Sequence, residues 1–211
     1  MQTIECIPEE FRKNFTLIIN KEPIGQIKSI DKAYSSIKTT YIFHCEDDWE
    51  FYRTCFIEDS KELLALNKSI LQVWLRSYYY DIRIHSSYHY WGERLEHNGV
   101  IYHRVMSNKP DWQGFSFNPG LRRLNDYHDI GKYGDYDHEK SLSKLYHDKG
   151  MWAATLEADA VAHTGFGSHV PDIRENKKKA KKKFKATLTA IALIVFSSVI
   201  GYLLSISNVS T

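Results

Sequence analysis

The sequence predicts an α/β domain with parallel strand pairing, followed by one C-terminal transmembrane helix. Short apolar runs rich in β-branched and aromatic residues alternate with segments whose apolar residues recur at helical spacing. A succession of strand, helix and strand has the spacing of a βαβ unit, which favours parallel pairing. Near the C-terminus, 21 consecutive residues carry no charge. The 211 residues therefore have room for one ordinary domain and a short membrane-spanning appendage.

The first half of the domain supplies the βαβ pattern. Phe15–Ile19 has the composition of a short buried strand, and Gln26–Ile37 has the apolar spacing of a helix. Thr39–Cys45 is the next predicted strand and is apolar almost throughout. A helix is predicted for Phe56–Leu66 and a third strand for Ile70–Leu75. We expect these strands to belong to one α/β sheet.

The second half is less regular. Residues 77–112 are aromatic and polar with little periodicity, which fits either a hairpin or an irregular region. Gly114–Gly120 is predicted to be a strand that ends in a tight turn. Asp137–Lys149 has helical character and is followed by Gly150, a common helix terminator. Trp152–Ala162 is predicted to be the last strand, ending at His163.

The C-terminal segment predicts a membrane anchor. At 1.5 Å per residue, residues 186–206 span roughly 30 Å as a helix, the hydrocarbon thickness of a bilayer. Residues 174–185 form a basic juxtamembrane linker with seven lysines, and residues 207–211 form a short uncharged tail. The positive-inside rule then places the preceding domain on the cytoplasmic side. The three cysteines form no CxxC pair, which agrees with a reducing compartment.

The charge distribution argues against nucleic-acid binding. When the seven lysines of the linker are set aside, 21 Lys and Arg remain against 26 Asp and Glu. A nucleic-acid-binding domain needs a basic face, whereas the body of this chain is acidic. We therefore expect no nucleic-acid partner.

The strongest candidate site is the acidic triplet Glu46, Asp47 and Asp48. It follows the apolar strand directly, and open α/β sheets bind ligands at the carboxyl ends of their strands. Three adjacent carboxylates repel one another unless a cation lies between them. Trp49 and Phe51 follow at once and are positioned to cover the site. The pattern predicts a site for a hard divalent cation.

Four passages, taken together, resemble GT-A-type glycosyltransferases of the family 2 kind, which use nucleotide sugars. IGQIKSIDKAYSSIKTTYIFHCEDDWEF is similar to the helix and strand that end in the family's DxD-like motif. GFSFNPGL resembles its acceptor-side strand and turn, HEKSLSKLY the helix that carries the catalytic base, and AHTGFGSHV the late histidine segment. The resemblance covers residues 24 to 172 and implies a partial GT-A fold, a Rossmann-like mixed sheet with flanking helices.

The resemblance also implies roles for the acidic triplet. Asp48 would bind Mn²⁺ or Mg²⁺, cations that prefer oxygen ligands, and His163 would be a further metal ligand, with His169 as a rival. Glu46 would contact the ribose or the sugar of the nucleotide-sugar donor, and Asp47 would share either role. The metal would neutralise the diphosphate leaving group as the glycosidic bond breaks.

The base is implied in the same way. Glu139 would deprotonate the acceptor hydroxyl, so that in-line attack inverts the anomeric configuration, and Asp137 is the alternative base. A carboxylate at position 139 also fits the first turn of a helix for electrostatic reasons alone. Trp49 and Trp112 are expected to be packing residues beside the cleft. The acceptor, whether a sugar, a lipid or a protein, is left open.

Family members carry one or two further βαβ units before the helix that here begins near Gly25, and those units hold the nucleotide. We therefore expect residues 1–173 to be a glycosyltransferase-like domain whose nucleotide-binding part is incomplete. Two alternatives stay open. One is a catalytically inactive, tail-anchored interaction module. The other is a metal-dependent phosphoesterase, whose second cluster of ligands would come from four further residues: His85, His89, His128 and Asp129.

Overall fold

The computed structural model describes residues 7–165, which form a mixed α/β domain with flanking helices. The helices are α1 (Glu9–Arg12), α2 (Gln26–Tyr34), α3 (Phe56–Leu66), α4 (Arg83–His85), α5 (Leu124–His128) and α6 (Glu139–Asp148). A π-helical turn, Tyr78–Ile82, precedes α4, and a 3₁₀ turn spans Tyr133–Asp135. The strands are β1 (Tyr41–His44), β2 (Trp49–Phe51), β3 (Ile70–Trp74), β4 (His89–His97), β5 (Val100–Ser107), β6 (Gly120–Arg123), β7 (Trp152–Leu156) and β8 (Val161–His163).

The strands form two sheets. The larger has six strands in the order β1-β6-β3-β7-β5-β4, and the smaller pairs β2 with β8. Only β3 and β7 pair in parallel in the larger sheet, while its other neighbours are antiparallel. The predicted mixed sheet with flanking helices is therefore confirmed at this level.

Hydrophobic residues pack on both faces of the larger sheet. Neighbouring side chains of a strand point to opposite faces. In β1, Ile42 belongs to a cluster with Tyr34 of α2 and Leu142 of α6, whereas Phe43 packs against a cluster that includes Leu63 of α3. The sheet thus lies between helices, and β1, which leads into the acidic triplet, is packed on both faces.

Several elements agree with the sequence prediction. The helix Phe56–Leu66 is observed with the predicted ends, and the helix from Gln26 ends three residues early, at Tyr34. The predicted strands near residues 41 and 70 are present in shortened form. The open choice for residues 77–112 resolves into helical turns followed by a long β4–β5 hairpin, in which Asn98 and Gly99 turn with positive φ.

The predicted parallel pairing needs one correction. β1 and β3 run in the same direction, but β6 lies between them and is antiparallel to both. The close approach of the two backbones explains why β6 begins with glycine. A Cβ on Gly120 would lie 2.6 Å from the carbonyl oxygen of Val73.

Three predicted strands also differ from the structure. Phe15–Ile19 forms no strand, and its Leu17 and Ile19 side chains are exposed; Lys32 of α2 instead bonds the Ile19 carbonyl. Gly114–Pro119 is a buried irregular segment because its amides bond to side chains, and the strand begins only at Gly120. The predicted strand 152–162 is divided into β7 and β8, which belong to different sheets.

The predicted basic linker, membrane helix and tail, at residues 174–185, 186–206 and 207–211, lie outside the described residues. Between residues 7 and 165, no helix has both the length and the apolar character needed to cross a membrane.

Candidate functional site

The acidic triplet lies in the turn between the two sheets. β1 of the larger sheet ends at His44, and the turn at Asp47 and Asp48 leads into β2 of the smaller sheet. Trp49 is buried as the first residue of β2, whereas Asp47 is exposed. The turn therefore holds Asp48 at the junction between the sheets.

The pairing of β2 with β8 brings a distant histidine to this turn. Trp49 lies opposite His163 in the antiparallel register. The Nε2 atom of His163 is 3.0 Å from Oδ2 of Asp48. The backbone N–H and the hydroxyl of Thr164 both donate to the carbonyl oxygen of Asp48, at 2.8 Å and 3.0 Å. The structure thus joins the two residues that the sequence predicts as metal ligands.

Gly165 packs directly against the side chain of Asp48. A Cβ at this position would lie 2.6 Å from Oδ2 and 2.7 Å from Cβ of Asp48, far inside van der Waals contact. Only glycine lets the segment after β8 pass so close to the carboxylate. This residue was not singled out from the sequence, although the run His163, Thr164, Gly165 directly after an apolar strand is a usable signal.

Glu46 lies beside the same carboxylate. The side-chain amide of Gln26, at the N-terminus of α2, donates to Oε1 of Glu46. Burial raises the pKa of Glu46, and the negative charge of Asp48 raises it further. The electrostatic coupling means that the two carboxylates share one environment, which a bound cation would stabilise.

Glu139 is close enough to this group to interact electrostatically with Glu46. It is in the first turn of α6, where Oε1 accepts a hydrogen bond of 2.9 Å from the backbone N–H of Phe117. Burial raises the pKa of Glu139, and the charge of Glu46 adds to that rise. The predicted base and the predicted donor-contacting acid are therefore electrostatically coupled. The alternative base, Asp137, is exposed and lies before the helix.

A cleft of about 520 Å³ opens next to Glu46, between α2 and β1. Its floor is apolar, and two polar side chains, Tyr34 and His44, meet within it with their Oη and Nδ1 atoms 3.1 Å apart. Burial lowers the pKa of His44 to about 3, helped by the positive charge of Arg122. His44 is consequently a neutral hydrogen-bonding group at the wall of the cleft.

Arg122 is a buried cation behind this cleft. Its side chain is 1% exposed, and Nη2 donates to the carbonyl oxygen of Ser116 at 2.9 Å. The guanidinium lies 5.2 Å from the ring centroid of Phe115, within the range of a cation–π interaction. Its charge also favours the ionised form of Glu139 and so acts against the burial effect there.

The donor atoms at Asp48 and His163 suit a hard divalent cation. A carboxylate oxygen and an imidazole nitrogen are both accepted by Mn²⁺. The buried Oδ1 atom of Asp48 has no hydrogen-bond partner among the described residues, so it is free to bind a cation. Within residues 7–165, no group of three or more His, Cys, Asp or Glu side chains is arranged to hold a metal. His169 lies outside the described residues.

The residues named for a second metal cluster have other surroundings. His85 is exposed on α4, and His128 and Asp129 are at the end of α5. His89 is buried in β4, where its Nε2 atom is 3.1 Å from the carbonyl oxygen of Trp112. The ring of Trp112 packs edge-on against Tyr88, with 6.2 Å between the ring centroids. The structure gives these four residues no common site with Asp48.

Comparisons with protein-family models, with curated proteins and with solved structures each return no match.

Proposed function

We propose that this chain is a metal-dependent glycosyltransferase that moves a sugar from a nucleotide-sugar donor to an acceptor hydroxyl with inversion. The observation that carries the proposal is the contact between Asp48 and His163, with Glu46 beside them. A resemblance in sequence named these residues, and they meet although 115 positions separate two of them. A contact between two predicted ligands that lie so far apart in the sequence supports the prediction that they form one site.

Asp48 and His163 would hold Mn²⁺ or Mg²⁺, and two protein ligands leave most of the coordination sphere to a diphosphate and water. The cation would supply charge neutralisation for the departing diphosphate. Glu46, fixed by the Gln26 amide, accepts a hydroxyl hydrogen of the donor's ribose or sugar. Asp47 is exposed at the mouth of the cleft and is available to the same ligand.

Glu139 takes the proton of the acceptor hydroxyl. The Phe117 amide fixes one carboxylate oxygen, so the orientation of the base does not depend on the substrate. A raised pKa brings a carboxylate closer to the working pH, where a general base is most effective. In-line attack by this hydroxyl on the side opposite the diphosphate would invert the anomeric configuration.

The proposal includes a membrane anchor at residues 186–206, with the domain on the cytoplasmic side. The uncharged run and the adjacent lysines support it. An anchored enzyme meets membrane-bound acceptors at high local concentration. Protease protection of the C-terminal tail in sealed vesicles tests this orientation.

The catalytic proposal is tested by incubating the full chain with a panel of nucleotide sugars and Mn²⁺ and measuring nucleoside diphosphate release. We expect release for one donor class, abolished by a chelator. A phosphoesterase would instead release phosphate from p-nitrophenyl phosphate without a nucleotide sugar. A folded chain that binds no nucleotide sugar would contradict the proposal and favour the interaction module.

A further inference from the structure

A buried ion pair lies directly behind the candidate metal site. Nε of Arg76 donates to Oδ2 of Asp81 at 2.7 Å, and Nη2 donates to Oδ1 at 2.5 Å. Both side chains are less than one-tenth exposed. Arg76 follows β3, and Asp81 is in the π-helical turn Tyr78–Ile82. The two parallel hydrogen bonds fix the plane of the guanidinium as well as its charge.

The guanidinium lies against the tryptophan that supports the metal ligands. Cζ of Arg76 is 5.6 Å from the ring centroid of Trp49, within cation–π range. The Trp49 ring in turn lies 4.7 Å from the imidazole of His163. The Trp49 ring thus contacts both the guanidinium and the imidazole of the predicted metal ligand.

The backbone of Arg76 supports the same strand. Arg76 forms a parallel bridge with Val161, two residues before His163 in β8. The N–H of Ala160 donates to the carbonyl oxygen of Leu75 at 2.8 Å. The end of β3 therefore joins the larger sheet to the smaller one through both its backbone and its side chain.

We propose that Arg76, locked by Asp81, is a positioning residue that holds Trp49 against His163 and so orients the imidazole toward Asp48. The metal role of that imidazole rests on the proposed function, whereas its orientation does not. Imidazole ligands are usually oriented by hydrogen-bond partners in the outer shell, whose loss typically weakens metal binding by 10- to 100-fold. We expect loss of the ring contact with Trp49 to act at the lower end of this range.

The side chain of arginine is specifically required. Lysine would keep the charge, but it cannot make the bidentate contact with Asp81 or present a planar cation to the Trp49 ring. Arg76→Lys therefore removes the geometry and retains the charge. A matched control is Arg123→Lys, since Arg123 is also largely buried and paired with a carboxylate, Asp126, at 3.0 Å. None of the contacts of Arg123 involves Trp49.

The orientation is measured by NMR on the full chain in detergent, without metal. The imidazole C–H protons of His163, assigned by their loss in His163→Gln, are shifted by the ring current of Trp49. Trp49→Leu should remove that shift. Arg76→Lys should reduce it strongly in a protein whose circular dichroism is unchanged, while Arg123→Lys should leave it in place.

The functional consequence is measured by titrating the same proteins with Mn²⁺ alone. Arg76→Lys should weaken Mn²⁺ affinity by about tenfold, and Arg123→Lys should not. The double variant Trp49→Leu with Arg76→Lys should lose no more affinity than the weaker-binding single variant, because both changes act through one contact.

The two claims fail separately. An unchanged His163 shift in folded Arg76→Lys overturns the positioning role, whatever the metal result. Equal loss in Arg123→Lys also overturns it, since the effect is then general. If the wild-type chain does not bind Mn²⁺ while the His163 shift responds as expected, the proposed metal site is wrong and the positioning role stands.

Discussion

The Nε2 atom of His163 lies 3.0 Å from Oδ2 of Asp48, and pairing of two short strands brings these residues together. Two hydrogen bonds, from the backbone N–H and the hydroxyl of Thr164 to the Asp48 carbonyl oxygen, fix the backbone of the turn. The carboxylate is therefore constrained at its backbone, while Oδ1 stays without a hydrogen-bond partner among the described residues. We therefore expect Asp48 to bind a cation through this oxygen.

Gly165→Ala should displace the Asp48 carboxylate. The new Cβ would lie 2.6 Å from Oδ2, so the side chain or the segment after β8 must move. We expect a loss of about 1–3 kcal/mol in the free energy of unfolding and a weaker Mn²⁺ affinity. Urea unfolding and Mn²⁺ titration measure the two effects.

Thr164→Ala is the matched control for this change. It removes one hydroxyl bond to the Asp48 carbonyl but keeps the backbone bond, and we expect a cost of about 1 kcal/mol. Its Mn²⁺ affinity should stay close to that of the wild type. If Gly165→Ala binds Mn²⁺ as well as Thr164→Ala does, the close approach has no role in the site.

Glu139→Gln should abolish transfer and preserve donor binding. Glutamine keeps the acceptor for the Phe117 amide but cannot take a proton, so kcat should fall by about 10²- to 10⁴-fold. KM for the nucleotide sugar should change little. The comparison variant is Asp137→Asn, which should retain most activity; a larger loss there would make Asp137 the base.

The pH dependence of wild-type transfer gives a second test of Glu139. Burial raises the pKa of Glu139 above its ordinary value of 4.5, and only the ionised form accepts a proton. The rate should therefore fall with decreasing pH along a limb whose midpoint is above 4.5. An acid limb at or below that value would contradict the burial of a catalytic Glu139.

His44 should make the domain sensitive to acid. Burial lowers the pKa of His44 from 6.5 to about 3, so the unfolded chain takes up a proton at a higher pH than the folded chain does. The contribution of neutral His44 to the free energy of unfolding is complete above pH 6.5 and is lost as the pH falls toward 3. At pH 5 the loss from this residue is about 2 kcal/mol.

The variant His44→Phe tests this assignment. Urea unfolding at pH 7.5 and pH 5.0 gives the loss of stability for each protein, and the variant should lose about 2 kcal/mol less than the wild type. His89, whose pKa burial also lowers, to about 4, is unchanged in the variant and accounts for a remaining loss. An identical loss in both proteins would show that His44 is not buried in its neutral form.

The three longest helices and the central strands were predictable because their signals are local. The helix Phe56–Leu66 has the expected ends, and β3 is the buried run that its sequence indicates. The order of strands was not predictable in this way. The sequences of Tyr41–His44 and Ile70–Trp74 do not indicate that β6 lies between these strands. That arrangement depends on Gly120, 46 residues after the end of β3.

Exposed and irregular segments misled the prediction for a physical reason. Phe15–Ile19 has strand composition, but a strand needs a partner, and in the structure the carbonyl of Ile19 accepts a hydrogen bond from the Lys32 side chain instead. Phe115 and Phe117 have the alternation of a strand, yet their amides bond to Ser143 and Glu139 side chains. In both cases the composition is that of a strand, but composition does not indicate which groups the backbone N–H and C=O bond to.

The candidate site residues could be named from the sequence, whereas their geometry could not. Family resemblance pointed to Asp48, His163 and Glu139, and the structure brings the first two into contact. The supporting residues were missed. Arg76 and Asp81 lie five positions apart in a region with no clear periodicity, and only the π-helical turn brings their side chains together.

A calorimetric titration of the full chain with nucleotide sugars, with and without Mn²⁺, measures directly whether Asp48 holds a metal ion that the donor needs for binding. We expect one donor class to bind only when Mn²⁺ is present, and at least a tenfold loss of affinity in Asp48→Ala. Glu50→Ala, which removes an exposed acid two residues further on, should bind as the wild type does. Metal-dependent binding that is unchanged in Asp48→Ala would show that Asp48 is not a metal ligand.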